Sequence, residues 1–145
     1  EICMDNYKEQ LLNIQTMPGI GEQGAMQIIA EVGVDMKAFM TAAMLVGWAG
    51  LKPRNDESNG KFKSRSTTHG NKYLRKILIE CAWGASRTQG CFFNKFSYHQ
   101  TMVRKKSRQK VQVAIARKIL VVIWHILENG VVYNDIFGKG KAKDK

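Results

Sequence analysis

The sequence predicts a mainly α fold, a single-domain helical bundle containing a helix-hairpin-helix and one long basic loop. Three observations carry this. Apolar residues recur at helical spacing nearly throughout. A Pro18-Gly-Ile-Gly21 turn separates the first two periodic stretches. The segment from Arg54 to Thr68 is polar, cationic and aperiodic. With 145 residues, 44% of them hydrophobic, the chain can bury one core of ordinary size. Two prolines and no low-complexity tract argue against a linker or a fibrous segment.

The elements follow in order. Tyr7, Leu11, Leu12 and Ile14 predict a first helix ending near Thr16. Ala25, Ile28, Ile29 and Val32 predict a second, stopped by Gly33. Between them, Pro18 fixes φ where the first helix must end, and Gly19 and Gly21 allow geometries that a Cβ forbids. Ala25 is small where the two helices would cross, and Ile20 can enter the core. Ala42 to Trp48 predicts a short third helix, broken by Gly50-Leu-Lys-Pro53. After the polar loop, Thr67 or Thr68 is expected to cap a helix from about Gly70 to Arg87, with Leu74, Ile77, Leu78, Cys81 and Ala85 on one stripe. Phe92, Phe93, Phe96, His99 and Met102 predict another helix that ends in the basic run Arg104 to Arg108. The last helix is expected from about Lys110 to Asn129, with Gly130 ending it, and Val131-Val132-Tyr133 reads as coil. The longest apolar run, Ile119 to Ile126, is too short to span a bilayer. Glu1 to Asn6 lacks the basic start and apolar stretch of a secretory leader, and a chain that starts with Glu rather than Met is expected to be a piece of a longer protein.

Charge is unevenly placed. The chain carries 23 Lys and Arg against 12 Asp and Glu. Residues 1–51 are net −4, residues 52–110 net +12 and residues 111–145 net +3. Confinement of the excess to the middle segment favours a polyanion-binding surface over a merely solubilising face. Cys3, Cys81 and Cys91 form no CxxC pair, and His69, His99 and His125 add no close ligand spacing, so a zinc site is not expected. Cys81 falls on an apolar stripe as a structural thiol, which fits a reducing cytoplasm.

Two places could do chemistry. At the hairpin, amide groups opening the second helix can hold a phosphate, with Gly19 and Gly21 allowing close approach. Glu22 and Asp35 oppose that reading, and a plain αα corner is the competing one. In the basic loop, a hydroxyl attacking a phosphodiester needs the phosphate held and its charge neutralised. Ser58-Asn59-Gly60-Lys61 has those groups within a few residues. Ser64, Ser66, Thr67 and Thr68 are equally suitable hydroxyls, and composition does not choose among them. Lys52, Arg54, Lys61, Lys63, Arg65 and Arg75 are the candidates to position or neutralise the phosphate, and Lys72, Arg104, Lys105 and Arg108 to follow the backbone. Asp56-Glu57 does not make a metal cage, so any metal-dependent step needs ligands elsewhere.

Read together, Pro18-Gly-Ile-Gly21, Ile29-Ala-Glu-Val-Gly33, Phe39, Gly47-Trp-Ala-Gly50-Leu-Lys-Pro53, Ser58-x-Gly60, His69-Gly-Asn71-x2-Leu74-Arg75 and Ala114-x-Ala116-Arg117-Lys118 form a distinctive ordered series. It resembles the C-terminal transposase domain of the bridge-RNA-guided insertion-sequence transposases, the "one-ten" family, over about residues 11–133. The resemblance implies a DNA recombinase whose N-terminal RuvC-like domain, outside this chain, holds Mg²⁺. It also implies that the C-terminal domain supplies a serine nucleophile, matched here by Ser58, through a transient phosphoserine link to DNA. A noncoding guide RNA, assembly into multimers on DNA, and a place at the nucleoid of a bacterium or archaeon are implied as well. On this reading residues 1–15 end a linking helix and start the domain, 16–133 form the helical domain and 134–145 a basic tail. No cofactor is expected in the chain itself, which alone should be inactive. The alternative is a non-catalytic helix-hairpin-helix DNA-binding module of a repair or recombination protein, and an RNA-binding structural protein is a third.

Overall fold

A computed structural model describes residues 7–51 and 71–133 of the chain. They form six α-helices with no strand among the described residues: α1 (Lys8–Gln15), α2 (Glu22–Val32), α3 (Ala42–Trp48), α4 (Lys72–Arg87), α5 (Phe92–Tyr98) and α6 (Arg108–Asn129). A 3₁₀ turn, Met36–Ala38, leads into α3, and a π turn, His99–Val103, extends α5.

The amphipathic pattern dictates the arrangement. α6 is the longest helix among the described residues, and it is the one the others surround: α1, α3, α4 and α5 all pack on it. Its Ile115, Ile119, Leu120 and Ile123 are fully buried with Leu74 and Leu78 of α4, Leu45 of α3, Leu11 and Ile14 of α1, and Phe93 of α5. Each such side chain contributes about 1.5–3 kcal/mol of burial. α2 packs on α1 and α4 at the side, burying Ala25, Ile28 and Ile29. Two long-range ties fix the connections to this frame. The Trp124 indole N–H donates to the Phe39 carbonyl at 3.0 Å, holding the α2–α3 link on α6. The Tyr133 N–H donates to the Thr16 hydroxyl at 2.8 Å, so the chain leaving α6 returns to the end of α1.

Several sequence expectations shift. α4 starts at Lys72, two residues after the expected start, and its cap is Asn71, whose side-chain oxygen accepts from the Tyr73 and Leu74 N–H groups at 3.0 Å. Thr67 and Thr68 lie outside the described residues. α6 begins at Arg108 behind a Ser107 cap, so the basic run straddles a helix start as well as the end of the preceding turn. α5 has only seven helical residues before widening into the π turn. Leu12 is more exposed than buried because α1 presents only Leu11 and Ile14 inward.

Candidate nucleic-acid interface

The α1–α2 turn is built by its glycine and proline. The Ile20 N–H donates to the Met17 carbonyl at 3.3 Å, with Pro18 and Gly19 between them and Gly19 at φ +87°. This is the residue order of a type II turn, with Pro at its second position and Gly at its third. Gly19 lies flat against α4. A Cβ there would stand 2.5 Å from the Cys81 carbonyl oxygen and 2.6 Å from the Ala85 nitrogen. Gly84 answers it from α4: a Cβ at 84 would lie 3.3 Å from the Gly19 Cα. Helix–turn contact thus accounts for glycine at position 19. Gly21 differs, with no described atom within 4 Å of where its Cβ would be and a place as the cap of α2, whose first residues Glu22 and Gln23 are exposed. Of the two glycines, Gly21 is the one beside outward-facing amides.

The root of the segment 52–70 is tightly made. α3 ends in a Schellman motif: the Gly50 N–H donates to the Gly47 carbonyl at 3.0 Å and the Leu51 N–H to the Val46 carbonyl at 3.1 Å. Gly50 takes the left-handed turn at φ +78°, and Leu51 is fully buried. The chain comes back at Asn71, whose N–H donates to the Trp48 carbonyl at 3.1 Å and whose side-chain amide donates to Glu31 at 2.7 Å. Arg117, half-buried on α6, donates from Nη1 to the Leu51 carbonyl at 3.4 Å. Burial holds its guanidinium below the usual arginine range. Departure and return of the segment are therefore pinned side by side, with a cation at the root.

Among the predicted site residues, Ser58, Lys52, Arg54, Lys61, Lys63 and Arg65 lie outside the described residues. Lys72 and Arg75 occupy the first turn of α4, next to the root, with Lys72 exposed and Arg75 half-buried. Arg104, Lys105 and Arg108 are exposed where the π turn passes into α6. Arg117 stands nine positions after Arg108 on α6, roughly 14 Å along the helix. The structure adds Lys106, Lys110, Arg117 and Lys118, which line one concave surface with Arg104 and Lys105. A sequence signal for the last two exists, since Arg117 and Lys118 are the only cations in α6 between Lys110 and His125. Among the described residues no three His, Cys, Asp or Glu side chains converge on one point, and no helix there is long and apolar enough to cross a membrane.

The chain matches the model of the transposase family described as IS116/IS110/IS902 over residues 12–97. It is 27% identical to a probable family 20 transposase of Pseudomonas aeruginosa, covering 86% of this chain and 37% of that protein. It is 30% identical to a pilin gene-inverting protein of Moraxella lacunata, covering 84% and 37%. With the transposase for insertion sequence element IS1111A of Coxiella burnetii it shares 28% identity, covering 86% and 35%. The chain spans about a third of the length of these relatives.

Proposed function

Because the chain belongs to the IS116/IS110/IS902 family of transposases, we propose that it is the serine-bearing, nucleic-acid-binding part of a DNA transposase or recombinase. Its partner is a RuvC-like domain elsewhere in the full-length protein. The observation that carries this reading is that both residues flanking 52–70 are fixed to the frame, Leu51 by Val46 and Arg117, and Asn71 by Trp48 and Glu31, with Lys72 and Arg75 following in the first turn of α4. A cation-rich, hydroxyl-bearing segment anchored this firmly is suited to present a nucleophile to a bound phosphate.

In the proposed reaction the Ser58 Oγ attacks a DNA phosphorus. A P–O bond to the DNA sugar breaks as the Ser–O–P bond forms, the serine proton passes to solvent or a base, and the departing sugar oxygen takes up a proton as a hydroxyl. A hydroxyl of the exchanging strand then attacks the phosphoserine and releases Ser58, so phosphodiester bonds are conserved and neither oxidant nor reductant is needed. Lys52, Arg54, Lys61, Lys63, Arg65 and Arg75 offset the charge that develops on phosphate, where losing one good donor costs roughly 10²–10³ in rate. Lys72, Arg104, Lys105 and Arg108 follow the backbone, and the amides beyond Gly21 offer a further phosphate contact. Mg²⁺ would be held by the RuvC-like domain. The described residues of this chain do not form a site for it, and no step here runs through the ion. Similarity to transposases and to a gene-inverting protein supports strand exchange on DNA. A guide RNA and assembly on DNA belong to the same proposal.

The test uses the full-length protein. Ser58→Ala is expected to abolish strand exchange while nucleic-acid binding stays within a few-fold, and a covalent protein–DNA adduct should map to Ser58. Recombination retained by that variant would remove Ser58 from the reaction and leave a non-catalytic helix-hairpin-helix binding module as the better reading.

A further inference from the structure

We propose that the groove between the π turn and the first half of α6 takes a single strand of nucleic acid, held through its phosphates. The proposal rests on the nucleic-acid reading above but uses residues outside the serine-bearing segment. The groove has a volume of about 730 Å³, and the described residues that line it include Arg104, Lys105, Lys106, Lys110, Arg117 and Lys118 and no carboxylate. Six like charges on one concave surface repel one another and focus a positive potential into it, which an anion relieves. Cavities of roughly 300–1,000 Å³ hold a drug-sized ligand, so this one has room for a few nucleotides of one strand, whereas a duplex would lie across its rim.

The backbone is shaped to make this surface. At the end of the π turn the Arg104 N–H donates to the His99 carbonyl at 3.0 Å. The Lys106 N–H then reaches back to the Gln100 carbonyl at 3.0 Å, and Lys105 between them is held at φ +56°. A lysine in the left-handed region costs about 1 kcal/mol or more, and such strain and π turns both gather at functional sites. Both features lie where residues 104–106 join Lys110, Arg117 and Lys118 in lining the groove. Lys118 Nζ stands 5.1 Å from the Phe96 ring centre, and Phe92 stacks on Phe96 at 5.7 Å. These rings hold a cation in place rather than presenting a face to a base. Recognition is therefore of phosphates, without base preference. Arg117 lines the groove and also donates to the Leu51 carbonyl.

The experiment compares the chain with Lys106→Gln/Lys110→Gln/Lys118→Gln and with a charge-matched control on exposed lysines elsewhere, Lys8→Gln/Lys37→Gln/Lys76→Gln. Binding to labelled oligo-dT, oligo-U and a duplex is read by fluorescence anisotropy across a salt series. The groove variant should lose at least tenfold in single-strand affinity, and at least fivefold more there than on duplex. Its slope of log affinity against log salt should flatten by about 2, from three phosphates at about 0.7 each. Equal losses on dT and U support phosphate reading, and a larger loss on one assigns the groove to DNA or to RNA. Equal losses on single strand and duplex, or an equal loss in the control variant, overturn the proposal. If Lys118→Gln lowers the melting temperature by disturbing the Phe96 contact, Lys106→Gln/Lys110→Gln is measured instead, with a slope change of about 1.4 on the same basis. A failed Ser58→Ala test leaves these affinities unchanged, and failure of the groove leaves the Ser58→Ala outcome standing.

Discussion

Replacing Gly19 by alanine separates two uses of a missing Cβ. The new methyl would sit 2.5 Å from the Cys81 carbonyl oxygen and 2.6 Å from the Ala85 nitrogen, both backbone atoms inside α4. Neither can move alone, because Leu78, Cys81, Ala82 and Ala85 of that helix are buried. Overpacking of this kind costs about 1–3 kcal/mol. Holding an L-residue at φ +87° adds about 1–2 kcal/mol. The expected loss is therefore about 3 kcal/mol, a large share of an ordinary domain's stability of roughly 5–15 kcal/mol. For a chain of this size that corresponds to a melting point lower by about 10 °C, at roughly 2–4 °C per kcal/mol. Gly21→Ala is the matched control: φ is −98° and no described atom lies within 4 Å of its Cβ, so only the poorer cap counts, at most about 1 kcal/mol. Urea denaturation of both variants gives the comparison. If Gly19→Ala costs no more than Gly21→Ala, the close approach of the turn to α4 is not what demands glycine, and a role for position 19 in phosphate contact regains its force.

Two further outcomes follow from the same structure. Desolvation first, and the charge of Glu80 second, push the Cys81 thiol up to about 11. At pH 8 only about one in a thousand of these thiols is ionised, so iodoacetamide should modify Cys81 at least a hundredfold more slowly in the native chain than in denaturant. Rapid native labelling would contradict its burial. Because the folded value is raised from 9.0, the stability linked to this thiol is complete below about pH 9 and fades as pH rises through about 11. Asn71→Ala removes the acceptor for two α4 amides and the donor to Glu31. It should cost about 1–2 kcal/mol in urea denaturation, and a loss below about 0.3 kcal/mol would mean that the cap does not set the start of α4.

Periodicity made the helices legible because burial on one face leaves a 3.6-residue trace, and α3 and the close of α4 at Arg87 fall where that trace puts them. What the trace lacks is partner information. Thr67, Thr68 and Asn71 are all competent caps on local chemistry, and the start of α4 is decided by Trp48 and Glu31, forty or fewer residues upstream, which bond Asn71 from α3 and α2. Gly19 poses the same difficulty in another form: close approach to a phosphate and close approach to a helix backbone demand the same absent side chain. Charge counting identified the middle segment as the cationic one, yet it could not say which elements carry which cations. Lys72 and Arg75 attend the root of the 52–70 segment, whereas Arg104 and Lys105 join Lys110 and Lys118 in lining a groove beside a π turn and a left-handed lysine, two backbone features with no composition signature. Arg117 links the two places, since it lines that groove and holds the Leu51 carbonyl. If the groove takes a strand as proposed, this half-buried arginine is where its occupancy would be felt at the Leu51 carbonyl, and coupling requires that the Leu51 contact change when the groove fills.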